Sequence, residues 1–247
     1  FSATAGKVER GFAVQQDGQV EGNLVDPVVN YSNTGAGGVK VDLDTGEDTL
    51  VVVGNALSQT FTVNGPASSV TIDDAPVVGN DGTVTFTNLE SLALYGLEGN
   101  DTFIVTPHPT VPIFVDGGDP IGISPPLPLG KGDVLIPIIL PPAPTIFSQG
   151  PEPDEGGIVV GNNEVISFDH IEKIGPVVGP GPGPFPPVII IGTNGDDDIT
   201  IIARDSSTHP GTDGVQDFTV SVNAGPEILF VNQPALVVDA LSGDDDI

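Results

Sequence analysis

The chain has 247 residues, with 34 Asp and Glu against 6 Lys and Arg, a formal net charge of −28, and no Cys, Met or Trp. Its cations (Lys7, Arg10, Lys40, Lys131, Lys173, Arg204) are scattered, which excludes nucleic acid and anionic lipid as partners, because both need clustered Lys and Arg. Without cysteine there is neither a disulfide framework nor a thiolate metal site. Hydrophobic residues make up 38% of the chain, too many for one unable to bury a core. Charged residues are only 16%, so the charge reflects missing cations more than abundant ions. No apolar run approaches the roughly 18–20 residues of a membrane helix, so no membrane insertion is expected. No initiating Met or signal peptide is present, as in a processed product or a window of something longer.

Short, β-branched apolar segments follow one another along the chain, at 50–53, 60–63, 69–72, 83–87, 92–95, 103–105, 199–202 and 218–222, each bounded by Gly, Asn, Asp or Pro. They predict strands and an all-β fold. An 18-residue stretch from Phe86 to Phe103 aligns without gaps with Phe230 to Ile247, pairing Phe86/Phe230, Asn88/Asn232, Leu92/Leu236, Leu97/Leu241, Gly99/Gly243 and Asp101/Asp245. A third copy begins at Phe168 and dissolves after Ile174. Each copy ends in one signature: Gly, an acidic residue or Asn, Asp, any residue, then a large apolar residue. It begins at Gly46, Gly99, Gly195 and Gly243, which implies a unit of about 50 residues.

These units predict an N-terminal segment over 1–45 that could act as an inter-subunit strand, with Phe1-Ser-Ala-Thr-Ala5 as its candidate piece. Repeat 1 follows over 46–106, and 188–247 holds repeat 3 and the start of the next unit. Residues 107–187 carry 19 of the 25 prolines. Proline cannot donate to a strand ladder, so this region is expected to be an extended, peripheral insertion holding a degenerate repeat 2 and serving as a docking arm. The expected architecture is an elongated parallel β-solenoid of about 50-residue repeats, each two coils of roughly 22–25 residues. Tandem β-sandwich modules are the alternative.

In each signature glycine permits a tight turn, and the carboxylates that follow converge beside backbone carbonyls. Hard oxygen ligands of this kind suit Ca²⁺, and no imidazole or thiolate stands nearby to favour zinc or copper. Asp44, Asp48, Asp116, Asp119 and Asp198 are candidate ligands on this ground. Gly96-Leu97-Glu98-Gly99-Asn100-Asp101-Thr102-Phe103 and Gly192-Thr193-Asn194-Gly195-Asp196-Asp197-Asp198-Ile199 resemble the haemolysin-type, or RTX, calcium repeat of large secreted bacterial surface proteins. The resemblance implies Asn100, Asp101, Asp196, Asp197, Asp244 and Asp245 as calcium ligands. RTX repeats run in tandem, whereas the copies here lie about 50 residues apart.

Other constellations carry less. No Gly-x-Ser-x-Gly elbow is present. His170 occupies the Asn88/Asn232 position of the repeat and reads as a turn residue. Too few bases stand near acidic turns for a polysaccharide lyase. Thr83, Thr85 and Thr87 alternate on one strand face, as in ice-binding solenoids, but a single row makes no array. Asn30 and Asn100 open glycosylation sequons. The expectation is a non-enzymatic, secreted structural protein of the cell surface. It would self-associate with identical subunits or neighbouring repeats into a filament or array stabilised by calcium. An adhesin or carbohydrate-binding module contacting surface glycans is the alternative.

Overall fold

The computed structural model describes residues 12–16, 29–31, 39–42, 48–73, 82–119, 132–139, 144–178, 186–203, 217–233 and 235–247. Among them the fold is all-β. The strands are β1 (Phe12–Gln16), β2 (Val29–Tyr31), β3 (Val39–Asp42), β4 (Thr49–Val53), β5 (Thr60–Asn64), β6 (Ser69–Asp73) and β7 (Gly82–Thr87). Next come β8 (Ser91–Tyr95), β9 (Thr102–Thr106), β10 (Ile113–Asp116), β11 (Val134–Pro137), β12 (Thr145–Gln149), β13 (Gly156–Val160) and β14 (Ile166–Asp169). The last are β15 (Lys173–Val178), β16 (Val188–Ile191), β17 (Ile199–Ala203), β18 (Phe218–Val222), β19 (Glu227–Val231) and β20 (Leu236–Asp239).

They form two sheets of ten strands. Sheet A runs β2-β1-β4-β8-β10-β14-β13-β12-β16-β20, and sheet B runs β17-β18-β19-β15-β11-β9-β5-β6-β7-β3. From β3 onward the chain crosses from one sheet to the other at every connection outside three meanders, so the strands joined by these crossings pair in parallel within each sheet and come from successive passes. Thus β4, β8 and β10 pair in parallel in sheet A, and β5, β9 and β11 do so in sheet B. Three times the chain stays in one sheet for an antiparallel three-strand meander: β5-β6-β7 in sheet B, β12-β13-β14 in sheet A and β17-β18-β19 in sheet B.

Alternation makes each strand two-faced. In β5, Phe61 and Val63 are buried while Thr62 and Asn64 are exposed, and β9 repeats this with Phe103 and Val105. Phe61 stacks on Phe103 at 4.8 Å between ring centroids within sheet B, whereas Phe147 of sheet A meets Phe230 of sheet B edge-on at 5.5 Å. The inward faces of both sheets therefore share one core, in which each such side chain contributes about 1.5–3 kcal/mol.

Residues 107–187 depart from the expected peripheral arm. They supply β10 to β15, central in both sheets, with Ile113, Val115, Leu135, Ile158 and Ile166 at 0–1% exposure. Among the described residues most prolines sit where no ladder donor is needed: Pro107, Pro109 and Pro112 between β9 and β10, Pro151 and Pro153 between β12 and β13, Pro186 and Pro187 ahead of β16, and Pro137 as the last residue of β11. Within a strand, Pro176 falls where the β15–β19 register shifts between Ile174 and Val177, which spares a ladder bond. The segment expected to reach a neighbouring subunit contributes β1 and β2 to this chain's own sheet A, and residues 1–5 lie outside the described residues.

The start of the third copy shares a turn conformation with the other two but lies in the other sheet. Asn88, His170 and Asn232 share a left-handed backbone, with φ of 55°, 51° and 56°, so His170 is the turn residue that its place in the repeat implied. Asn88 and Asn232 follow β7 and β19 of sheet B, while His170 follows β14 of sheet A. The wide middle interval therefore holds a full unit whose meander has changed sheets. Because a left-handed φ disfavours β-branched residues, Asn88→Val should cost about 1–2 kcal/mol in urea denaturation while Asn88→Gly stays within about 0.5 kcal/mol.

Candidate functional site

The acidic turns lie where the chain leaves one sheet for the other. Crossing from sheet A to sheet B, the residue just before the strand is Gln59 ahead of β5, Asp101 ahead of β9, Asp133 ahead of β11 and Glu172 ahead of β15. All four are buried, at 0–3% exposure. A corner breaks the strand ladder, so the N–H of its last residue faces the interior without a carbonyl to bond. Here the side chain of the next pass takes that proton. Gln59 N–H donates to Asp101 Oδ1 at 2.7 Å, Asp101 N–H to Asp133 Oδ1 at 2.6 Å, and Asp133 N–H to Glu172 Oε2. Asp197 N–H donates in the same sense to Asp245 Oδ1 at 3.0 Å.

One residue earlier the bonds run the other way. Asn100 N–H donates to Ser58 Oγ at 3.0 Å, Gly132 N–H to Asn100 Oδ1 at 2.7 Å, and Asp244 N–H to Asp196 Oδ1 at 2.9 Å. Successive passes are thus laced by two antiparallel ladders of backbone N–H to side-chain oxygen.

The ladder explains the glycines. A Cβ on Gly96 would lie 2.5 Å from Asp101 Oδ2, one on Gly117 2.7 Å from Asp133 Oδ2, and one on Gly192 2.5 Å from Asp197 Oδ2; on Gly54 it would strike Gln59 Oε1. The inner carboxylate folds back over the start of its own corner, and only glycine leaves room. Thr193 shows the closure: its N–H and hydroxyl donate to Asp197 at 2.8 and 2.9 Å.

The proposed ligands are distributed as follows. Asp44 lies outside the described residues. Asp48 precedes β4 on the opposite side of the molecule, where its N–H donates to Glu90 Oε2 at 2.8 Å. Asp116 Oδ1 bonds His170 Nδ1 at 2.9 Å. Asp119 joins the corners through its backbone, its N–H donating to Leu97 O at 2.6 Å. Asp198 N–H donates to Asn223 Oδ1 at 2.9 Å, and the side chains of Asp196, Asp198, Asp244 and Asp245 lie at the exposed rim. Among the described residues no group of three or more His, Asp or Glu is arranged to hold a metal ion. The ladder residues Gln59, Asp133 and Glu172 have no counterpart in the sequence-derived set: Gln59 lacks a carboxylate, and the other two sit in the region read as insertion. The only sequence signal was Gly132-Asp133 preceding an apolar run.

Stacking acids has an electrostatic cost. Two unit charges one strand apart repel by about 3–4 kcal/mol at an effective dielectric near 20. Burial, with repulsion from Asp116, raises Asp133 to about 6 against the opposing bond from Asp101 N–H. Burial, with repulsion from Asp133 and Asp154, raises Glu172 to about 7. The bond to Asp116 raises His170 despite partial burial. Burial pushes Asp197 upward, but bonds from Asn223 and Thr193 outweigh it and hold the group below its usual value.

Among the described residues one serine–histidine contact stands out. Ser68 Oγ lies 3.2 Å from His108 Nε2, but Thr110 N–H donates to His108 Nδ1 at 3.1 Å. The ring proton is therefore on Nε2, which donates to the serine and cannot take its proton. The cavity lined by Phe147, Phe168, Ile174, Ile190, Val222 and Ile228 is apolar and about 30 Å³, room for a water but not a substrate. Tyr95 meets Phe114 edge-on at 6.0 Å on the outer face of sheet A, where it offers no flat stacking platform. Comparison with protein-family models, with curated proteins and with solved structures finds no match to the chain.

Two outcomes follow from this geometry. Gly96→Ala should cost about 2–4 kcal/mol, while Gly195→Ala, whose Cβ would meet nothing nearer than Thr193 Oγ1 at 3.5 Å, should be near neutral in thermal melts. Because Asp133 and Glu172 titrate higher in the folded chain than unfolded, the folded state binds more protons between about pH 4 and 7. Their contribution is full below that window and is lost as pH rises through 6 and 7, and His170 acts in the same direction. Tm should therefore rise from pH 8 to pH 5.5, and Asp133→Asn with Glu172→Gln should flatten that rise.

Proposed function

We propose that this chain is a non-enzymatic, extracellular structural protein, a section of a β-solenoid whose passes template one another and which self-associates into a filament or surface array. The carrying observation is the corner ladder, in which each pass completes the hydrogen bonding of the one before it. A layer of this kind buries its polar backbone only against a neighbour, which is the logic of stacked repeats. The reading is supported further by β20 and β17, the outermost strands of their sheets on one side. There Val237, Ile201 and Ile202 are 44%, 45% and 40% exposed, and among the described residues no further strand pairs with these edges, a template for strand addition. The protonated state of His108 Nε2 and the small apolar cavity speak against an enzyme.

Calcium enters this reading as a counter-ion. The exposed carboxylates of Asp196, Asp198, Asp244 and Asp246 line one rim, where Asp198 and Asp246 face each other in a parallel bridge. A divalent ion there would relieve repulsion between passes and leave the backbone ladder untouched.

Sedimentation over a concentration series should show elongated, self-associated particles, and Val237→Lys with Ile201→Lys should remain monomeric with an unchanged melt. A chain that stays monomeric throughout removes the assembly claim. Chelation at constant ionic strength should weaken association while leaving far-ultraviolet circular dichroism intact; no effect of chelator on either removes calcium from the reading.

A further inference from the structure

The hydroxyl-bearing residues of sheet B form a lattice. In sequence Thr83, Thr85 and Thr87 make one row, but the meander and the next pass set further rows beside it. Thr83 pairs with Thr71, Thr71 with Thr62 and Thr62 with Ile104. In the neighbouring row Thr85 pairs with Ser69, Ser69 with Asn64 and Asn64 with Thr106, and a third row pairs Thr60 with Thr102. These side chains point outward, because the alternate positions Phe61, Val63, Val70, Ile72, Val84, Phe86, Phe103 and Val105 are buried at 0–3% exposure. Four adjacent strands therefore present mostly hydroxyl and amide groups, interrupted by Ile104 in the first row and Asp73 in the third, about 4.8 Å apart across strands and about 6.7 Å apart along them.

Two further features set this face apart. In a chain with a net charge of −28 the two rows that start at Thr83 and Thr85 hold no charge, whereas Asp73 stands in the third row beside Thr60 and Lys40 flanks Thr85 on β3. Thr71 and Thr83 bond each other at 3.1 Å, whereas the hydroxyls of Thr60, Thr62, Ser69, Thr102 and Thr106 make no hydrogen bond to another described residue and are left to solvent. Their backbones are held by the sheet and their inner neighbours by the core, so ordering them costs little further entropy.

We propose that this face of β7, β6, β5 and β9 binds the water lattice of an ice surface. A regular two-dimensional set of hydroxyls can hydrogen-bond an ordered array of water at many points together, and the threonine methyl groups between them fill its hollows. Charges would instead hold their own hydration shells and disrupt the match. A polysaccharide surface fits less well, because sugar faces are gripped by stacked aromatic rings and every phenylalanine of these four strands points into the core. This inference goes beyond the scaffold reading and does not depend on it.

The test is inhibition of ice recrystallisation by the full chain, with ice-crystal shaping followed by microscopy. The native chain should hold grain size small. Thr62→Lys with Thr85→Lys, both at exposed positions in the middle of the face, should lose the activity while melting as the native chain does. Ser148→Lys, exposed on the outer face of sheet A, should keep it. Grain growth equal to buffer alone with the native chain, or undiminished activity in the double variant, overturns the proposal.

Discussion

Successive passes of this chain around its two sheets are tied at Gln59, Asp101, Asp133 and Asp197 by one kind of hydrogen bond: a corner N–H, turned inward where the strand ladder ends, donating to a carboxylate from the next pass. Without a partner, a buried N–H costs about 1–3 kcal/mol, and the corners would accumulate that penalty pass after pass. The run Gln59, Asp101, Asp133, Glu172 removes it. Gln59 shows that the requirement is for an acceptor of the right reach rather than for a charge. Asp and Glu serve the same purpose, but their burial, with repulsion from neighbouring acids added to it, raises Asp133 and Glu172 toward neutrality.

The same bond ties sequence positions that look independent. Glycine at the start of a corner and the acid at its end are one device, since the carboxylate lies over the glycine Cα at Gly96, Gly117 and Gly192. A turn read as an ion-binding loop and a turn that closes on its own backbone contain the same residues. What separates them is where the oxygens point, and here the inner oxygen of each acid points at a neighbouring N–H. The acids that stay at the rim, Asp196, Asp198, Asp244 and Asp246, are the ones left to interact with ions in solvent.

The half-turn displacement of the middle unit follows from the symmetry of the arrangement. Both sheets are mostly parallel ladders with the same inward apolar face, so a strand, left-handed corner, strand module fits on either side. Asn88 and Asn232 turn the chain from sheet B to sheet A, and His170 turns it from A to B with nearly the same φ. The three meanders consequently alternate between sheets B, A and B; sheet B gains strands from two of them, and sheet A reaches the same ten strands through one meander together with β1 and β2.

The all-β class, the repeat and its left-handed turn residues were legible in the chain itself, because strand alternation, glycine and turn asparagine are dictated by local backbone sterics. Phe86, Phe168 and Phe230 marked true copies, each two residues ahead of a positive-φ corner. Three matters were decided only by the tertiary structure. Which sheet a copy joins depends on how many crossings precede it. Proline content marked 107–187 as marginal, although among the described residues its prolines fall mostly between strands, at the end of β11 or at the β15 register shift, and its apolar strands fill the centre of the core. And a carboxylate's role depends on the nearest donor, which for Asp101 comes from Gln59 and for Asp133 from Asp101, 42 and 32 residues away along the chain but one strand away in space.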